Sequence, residues 1–241
     1  MYSITVNILS FFVYSFLGWI FEIICVSVSE KKFVDRGFLI GPYCPIYGFG
    51  SMAMVLLLEK YQDDIVALFV MSVVICSILE YVTSYIMEKI FKARWWDYSH
   101  KKFNINGRIC LFNSIVFGFF GCIVTLVLNP RIVKLICISP PIVLYIILGV
   151  LLCTFILDLI CSFNIISGMK DAAYQMKKDN TTEITRKVKE ILKKKSIFSK
   201  RLVNAFPDFS ATIKSKVEEL EERKKEIKLE IQNEIKRRKS K

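Results

Sequence analysis

GFLIGPYCPIYGFGS, residues 37–51, places six glycines and prolines in fifteen positions of a chain that is otherwise strongly apolar. Its reading decides how many times the chain crosses a bilayer. Pro42 and Pro45 withdraw amide donors, while Gly37, Gly41, Gly48 and Gly50 permit turns and close backbone contacts that larger residues obstruct. Irregular backbone at membrane depth must lie against protein or water, because lipid offers it no hydrogen bonds. The stretch is therefore expected to pack among other spans, either as a simple structural break or as part of a ligand-binding or gating element.

On both sides of it the chain reads as membrane-spanning. Of the 241 residues 54% are hydrophobic, yet the formal charge is +12. The two are compatible because the segment from Lys170 onward holds 22 of the 34 Lys and Arg against 12 of the 22 acids. What precedes it is nearly neutral and apolar, with five runs close to the roughly 20 residues a bilayer crossing requires. They lie at about 7–29, 41–59, 64–88, 109–128 and 141–163. The second is the least regular, since a re-entrant segment would look similar. The first lacks a basic lead-in and a small-residue cleavage site, so it is expected to remain as an anchor.

Basic residues set the expected orientation. Lys31, Lys32 and Arg36 follow the first span, and Lys89, Lys92, Arg94, Lys101, Lys102 and Arg108 follow the third. The opposite side has Lys60 beside Glu59, Asp63 and Asp64, then Arg131 and Lys134. Five crossings, with the amino terminus outside and the carboxyl terminus cytoplasmic, satisfy every loop. The expected fold is thus all-α: a polytopic membrane domain of five transmembrane helices over residues 1–168, and a basic, helical cytoplasmic tail over 169–241.

Three carboxylates stand inside the apolar runs: Glu22 in FLGWIFEII, Glu80 in ICSILEYVTSYIMEK and Asp158 in LLCTFILDLICSF. An ionised carboxylate at bilayer depth needs a partner, a cavity or a ligand, or else a proton. Structural pairing and a substrate or ion pathway both satisfy that demand. Gly18 lies one turn before Glu22 and lets a neighbouring helix approach. Cys76, Glu80, Ser84 and Glu88 draw one polar stripe, with Glu88 ending its span.

In the opening stretch Tyr43 and Tyr47, four residues apart, are expected to share a wall, with Cys44 between them. RWWDYSHKKFNINGRI, residues 94–109, reads as a membrane-surface loop whose aromatics and bases meet anionic lipid. Lipid leaves Asp97 and Arg108 unexplained, so they are expected to pair with each other, or Arg108 with Glu80 or Glu88. The eight cysteines form no CxxC and there is one histidine, His100, so neither a metal site nor any other cofactor is expected. Cys44 has no evident acid–base team, and no convincing catalytic constellation emerges.

In the tail, residues 181–195 suit an amphipathic helix on anionic lipid or against a partner, and apolar positions from Ile213 suit a short coiled coil or a solvated arm. The tail mixes both charges with almost no aromatic platform, so nucleic acid is not an expected partner.

These words also carry a family likeness. DRGFLIGPYCPIYGFGS, the GWIFE of the first span, RWWDYS followed by NINGRICLFNS, FGFFG and RLVNAFP occur in this order over roughly residues 8–210. Together they resemble the bacterial membrane family called putative ABC-transporter type IV. Its motifs fall on Gly18, Trp19, Glu22, Gly41, Pro42, Cys44, Pro45, Tyr47, Gly48, Glu80, Trp96, Asp97, Tyr98, Asn106, Gly107 and Arg108. Phe117 stands where the family often has Trp. The resemblance implies the membrane component of a small-solute transport system, ABC permease-like. The chain has no G-x-x-x-x-G-K-[ST] phosphate loop, so such action requires a separate ATPase subunit. Few spans and the tail heptads suggest a homo-oligomer. The rival reading is a non-transporting scaffold or regulator whose tail recruits a partner.

Overall fold

The computed structural model describes residues 4–31, 33, 37–91 and 94–178, with side chains for all but 29, 30 and 165–178. The expected tail helices from residue 179 onward lie outside the described residues.

Helix α1 (Ile4–Glu30) runs without a break, and Gly37–Cys44 follows as irregular backbone. Helix α2 starts only at Pro45 and ends at Leu57. Proline is well placed there, since the first helical turn has no use for its missing amide hydrogen. Thirteen residues span about 20 Å, too short for a hydrocarbon core of about 30 Å. A 3₁₀ turn at Glu59–Tyr61 leads into α3 (Ile65–Phe91), whose first turn is capped by Asp64 Oδ1 accepting from the Ala67 amide at 2.9 Å.

A two-residue hairpin follows, β1 (Asn104–Ile105) antiparallel to β2 (Ile109–Cys110). Gly107 takes φ +68° in its turn, where a side chain would also run into Asp97 and Ser99. Helix α4 (Leu111–Ile123) continues through a π turn (Val124–Leu128) into α5 (Asn129–Cys137). A fourth span ending at 128 is thereby corrected to a 27-residue helical run, Leu111–Cys137. Pro130 cannot donate a hydrogen bond to the preceding turn, and the widened π turn absorbs the misfit. The Arg131 guanidinium then donates to the Val127 carbonyl at 2.6 Å. Helix α6 (Pro141–Lys178) runs on through residue 168 without interruption.

Apart from the hairpin the described chain is all-α, and four of its helical runs are long and apolar enough to cross a membrane: Ile4–Val28, Ile65–Phe91, Leu111–Cys137 and Pro141–Asn164. It is a multi-pass membrane protein. Helix α2 packs antiparallel to α1, with Phe49 on Phe11, and antiparallel to α3, with Met54 on Cys76. Helix α4 is antiparallel to α3, with Ser77 Oγ donating to Ser114 Oγ at 2.8 Å. Phe163 of α6 meets Phe91 at the end of α3. Helices α1, α3 and α6 therefore run toward the hairpin end of the bundle, and α2 and α4–α5 run toward the far end.

Helix α2 approaches α1 so closely that the Tyr47 side chain occupies the place of a Cβ on Gly18, and Ser15 and Phe11 that of one on Gly48. Such small-residue contacts are how helices associate where lipid removes the hydrophobic drive. The far half is the apolar core, with Met54, Leu58, Leu68 and Cys76 in one cluster and Tyr14, Val55 and Val124 in another.

Candidate functional site

The polar side chains collect in the hairpin half, around the place where the second apolar run loses its helix. The Cys44 amide donates to the Ser15 carbonyl at 2.9 Å, so α2 begins at the level of the middle of α1. Below that level the irregular backbone needs outside partners for its amides. Asp158 of α6 supplies them, accepting from the Ile40 amide at 2.9 Å and from the Gly41 amide at 2.6 Å. Ser162, one turn further along α6, donates to the same carboxylate at 2.9 Å.

Glu22 accepts a 2.6 Å hydrogen bond from the hydroxyl of Tyr47, in the first turn of α2. Tyr43 does not share that wall. With α2 starting at Pro45 the two tyrosines are not on one helix, and the Tyr43 ring packs edge-on against Phe12 and Phe155 instead. Cys44 contributes its backbone: its carbonyl also accepts from the Tyr47 amide at 3.0 Å.

Glu80 is 5% exposed and accepts from the Tyr98 hydroxyl at 3.2 Å. Tyr98 belongs to the loop between α3 and the hairpin, and burial, then the Glu80 carboxylate and more remotely Glu22, push its phenol up. The stripe on α3 faces inward as far as Ser84, with Ser72, Cys76, Glu80 and Ser84 all buried.

Arg108 and Asp97 do not pair with each other among the described contacts. The Arg108 guanidinium reaches Glu88 Oε2 at 2.8 Å and donates to Ser84 Oγ at 3.3 Å, between the rings of Tyr81 and Tyr85. Glu88 therefore anchors the loop as well as ending its span, and it also takes Arg94 at 3.2 Å. Asp97 turns to Ser99, whose hydroxyl donates at 2.6 Å and, with the Ser99 amide and Arg94, holds the carboxyl below its usual range.

The loop is also less of a lipid surface than its composition suggests. Trp95 is 2% exposed, packed on Phe38 and Phe91, and the Trp96 ring nitrogen donates to the Arg108 carbonyl at 3.1 Å. Between loop and α3 lies an open, polar cleft of about 560 Å³, lined by Tyr81, Tyr85, Arg94, Ser99, Asn106 and Arg108 among others.

Tyr98, Arg94, Ser84 and Ser162 were not among the expected site residues. Ser162 carried a signal, four residues after Asp158 on one helix face. Tyr98–Glu80 and Ser84–Arg108 join residues 18 and 24 positions apart, whereas Arg94 meets its near neighbours Glu88 and Asp97. No group of three or more His, Cys, Asp or Glu suited to a metal ion occurs among the described residues.

No curated protein and no solved structure matches the chain. The irregular entry to α2, the inward stripe of α3 and the folded Trp loop all fall within residues 9–163, which match the model of the family described as Putative ABC-transporter type IV, and to that family the chain belongs.

Proposed function

We propose that the chain is the membrane component of a small-solute transport system of ABC permease type in the bacterial cell membrane. The observation that carries this reading is the half-helix of α2, whose irregular approach is stitched by Asp158 to a different helix. A crossing built from irregular backbone and a half-helix is the kind of element around which transport sites form. Membership of the family supports a transport-related role.

Chain direction favours five crossings. Helix α1 ends at the hairpin end and α3 starts at the far end, so residues 37–64 return across the bundle, with α2 as the helical part of that crossing. Basic loop residues then place the hairpin end and the tail in the cytoplasm and the amino terminus outside. Residues 1–168 are the membrane domain and 169–241 the basic tail. Glu22, Glu80 and Asp158 are the polar contacts of the pathway, with Cys44 and Tyr47 shaping its wall, Tyr43 packed apart from it on Phe12 and Phe155, and Asp97 and Arg108 securing the cytoplasmic loop. Anionic lipid, a second copy of the chain and a separate ATPase subunit are the partners.

Affinity purification in mild detergent at native expression, with mass spectrometry of stoichiometric partners, tests this reading. A partner carrying an ATP-binding phosphate loop, retained when residues 208–241 are deleted, is the expected result. A partner lost with that deletion would favour the scaffold or regulator, and recovery of self-associated chain alone would overturn the ABC assignment.

A further inference from the structure

Glu80 differs from the other carboxylates in the bundle. Asp158 has two backbone amides and a serine hydroxyl. Glu88 has two arginines. Glu80, buried to the same degree as the apolar core, has one phenolic donor on Oε1, and its Oε2 has no hydrogen-bond partner among the described residues. Among the described residues no ion pair reaches it. Arg108, on the adjoining turn of the stripe, is committed to Glu88 and Ser84.

The groups around Glu80 do not offset a negative charge either. From α1 comes the Glu22 carboxylate, itself bonded by Tyr47 of α2. From its own helix comes the Cys76 thiol, and from the loop the Tyr98 phenol with the Cys110 thiol behind it. An ionised carboxylate so placed would hold an unsolvated charge beside a second acid. A proton removes that charge. A metal ion would need several oxygen lone pairs, whereas both phenols here turn their hydrogens toward the carboxylates.

We propose that Glu80 is a proton-binding site of the bundle, exchanging its proton with the cytoplasmic cleft past Tyr98. Tyr98 joins the two through the chain: its hydroxyl is bonded to Glu80, its amide to the carbonyl of Gly107, and both Gly107 and the next residue, Ser99, line the cleft. The inference rests on the transport reading only in that it takes the polar interior to be used. Protonation can be measured whether or not any solute moves, so the two can fail separately.

The test is labelling of the purified full-length protein in lipid nanodiscs by a membrane-soluble carbodiimide. A protonated carboxyl gives its proton to a carbodiimide nitrogen, its oxygen bonds to the carbodiimide carbon, and an acyl shift from oxygen to nitrogen leaves a stable N-acylurea. The expected result is one added reagent per chain, mapped to the Glu80 peptide, with labelling that falls about tenfold per pH unit above its midpoint. Tyr98→Phe should move that midpoint, and Glu80→Gln should abolish the label. Infrared absorption of the protonated carboxyl gives an answer independent of reagent access: the band should weaken in Glu80→Gln and persist in Glu88→Gln. An unlabelled Glu80 together with a band unchanged in Glu80→Gln would overturn the proposal. Protection of Glu80 by added sodium at constant pH would overturn it in favour of a metal-cation site.

Discussion

The two halves of the bundle are held together by different means. At the far end, α2, α3 and α4–α5 meet through Met54, Leu58, Leu68 and Val124, and the Tyr14 hydroxyl of α1 donates to Asn129 of α5 at 2.8 Å. At the hairpin end the contacts are ionic and phenolic, from Glu22–Tyr47 and Glu80–Tyr98 to Arg108–Glu88. Lipid competes with apolar packing on nearly equal terms but cannot replace a charge partner. The far half is therefore held by packing, and the hairpin half by polar partners that lipid does not supply.

Three substitutions can break or sharpen that contrast. The largest effect is expected from Arg108→Ala, which strips the buried cation from Glu88 and Ser84. Glu88 is a third exposed and keeps Arg94, so the loss is that of charged hydrogen bonds rather than of a fully buried pair, about 1.5–3 kcal/mol. A lowered denaturation midpoint in detergent checks it, and a change no larger than that for a surface arginine would remove the hairpin half's claim to ionic cohesion.

Tyr14→Phe should cost less, about 1 kcal/mol for one neutral buried hydrogen bond. The same unfolding assay should show the drop without altered carbodiimide labelling at Glu80. If the labelling moved too, the two halves would be coupled rather than distinct.

The smallest effect concerns Asp97, which lies in the partly exposed loop. Its carboxyl is held low in the folded chain, so the folded form binds its proton less readily than the unfolded chain. Its contribution is present above the ordinary carboxylate range and disappears as the pH falls through the folded value. Asp97→Asn should flatten the acid limb of the stability profile, as followed by Trp fluorescence, and leave neutral pH nearly unchanged. An unaltered acid limb would show that the Ser99 turn does no more than shape the loop.

Much of the fold was readable before any contact was known. The runs at 64–88 and 141–163 correspond to helices Ile65–Phe91 and Pro141–Asn164 of the bundle, because apolar length is a local property of a chain. The run at 109–128 ended nine residues short of the helical run Leu111–Cys137, and the π turn before Pro130 shows how the helix continues. The three intramembrane carboxylates also stood out, as ionisable residues in an apolar run do. Their partners did not: Tyr47 was matched with Tyr43 by spacing, although α2 begins between them, and Tyr98 stood in the family motifs without being linked to Glu80.

The sequence by itself determined that the chain lies in a membrane, where its apolar runs are and which acids they enclose, since hydropathy and charge are carried by neighbouring residues. Tertiary structure alone decided that Asp158 closes the amides of Ile40 and Gly41 more than a hundred positions away, that Arg108 belongs to Glu88, and that Glu80 is left with a single phenol. Those pairings depend on which helix faces meet, and spacing along one chain does not encode the distance between two helices.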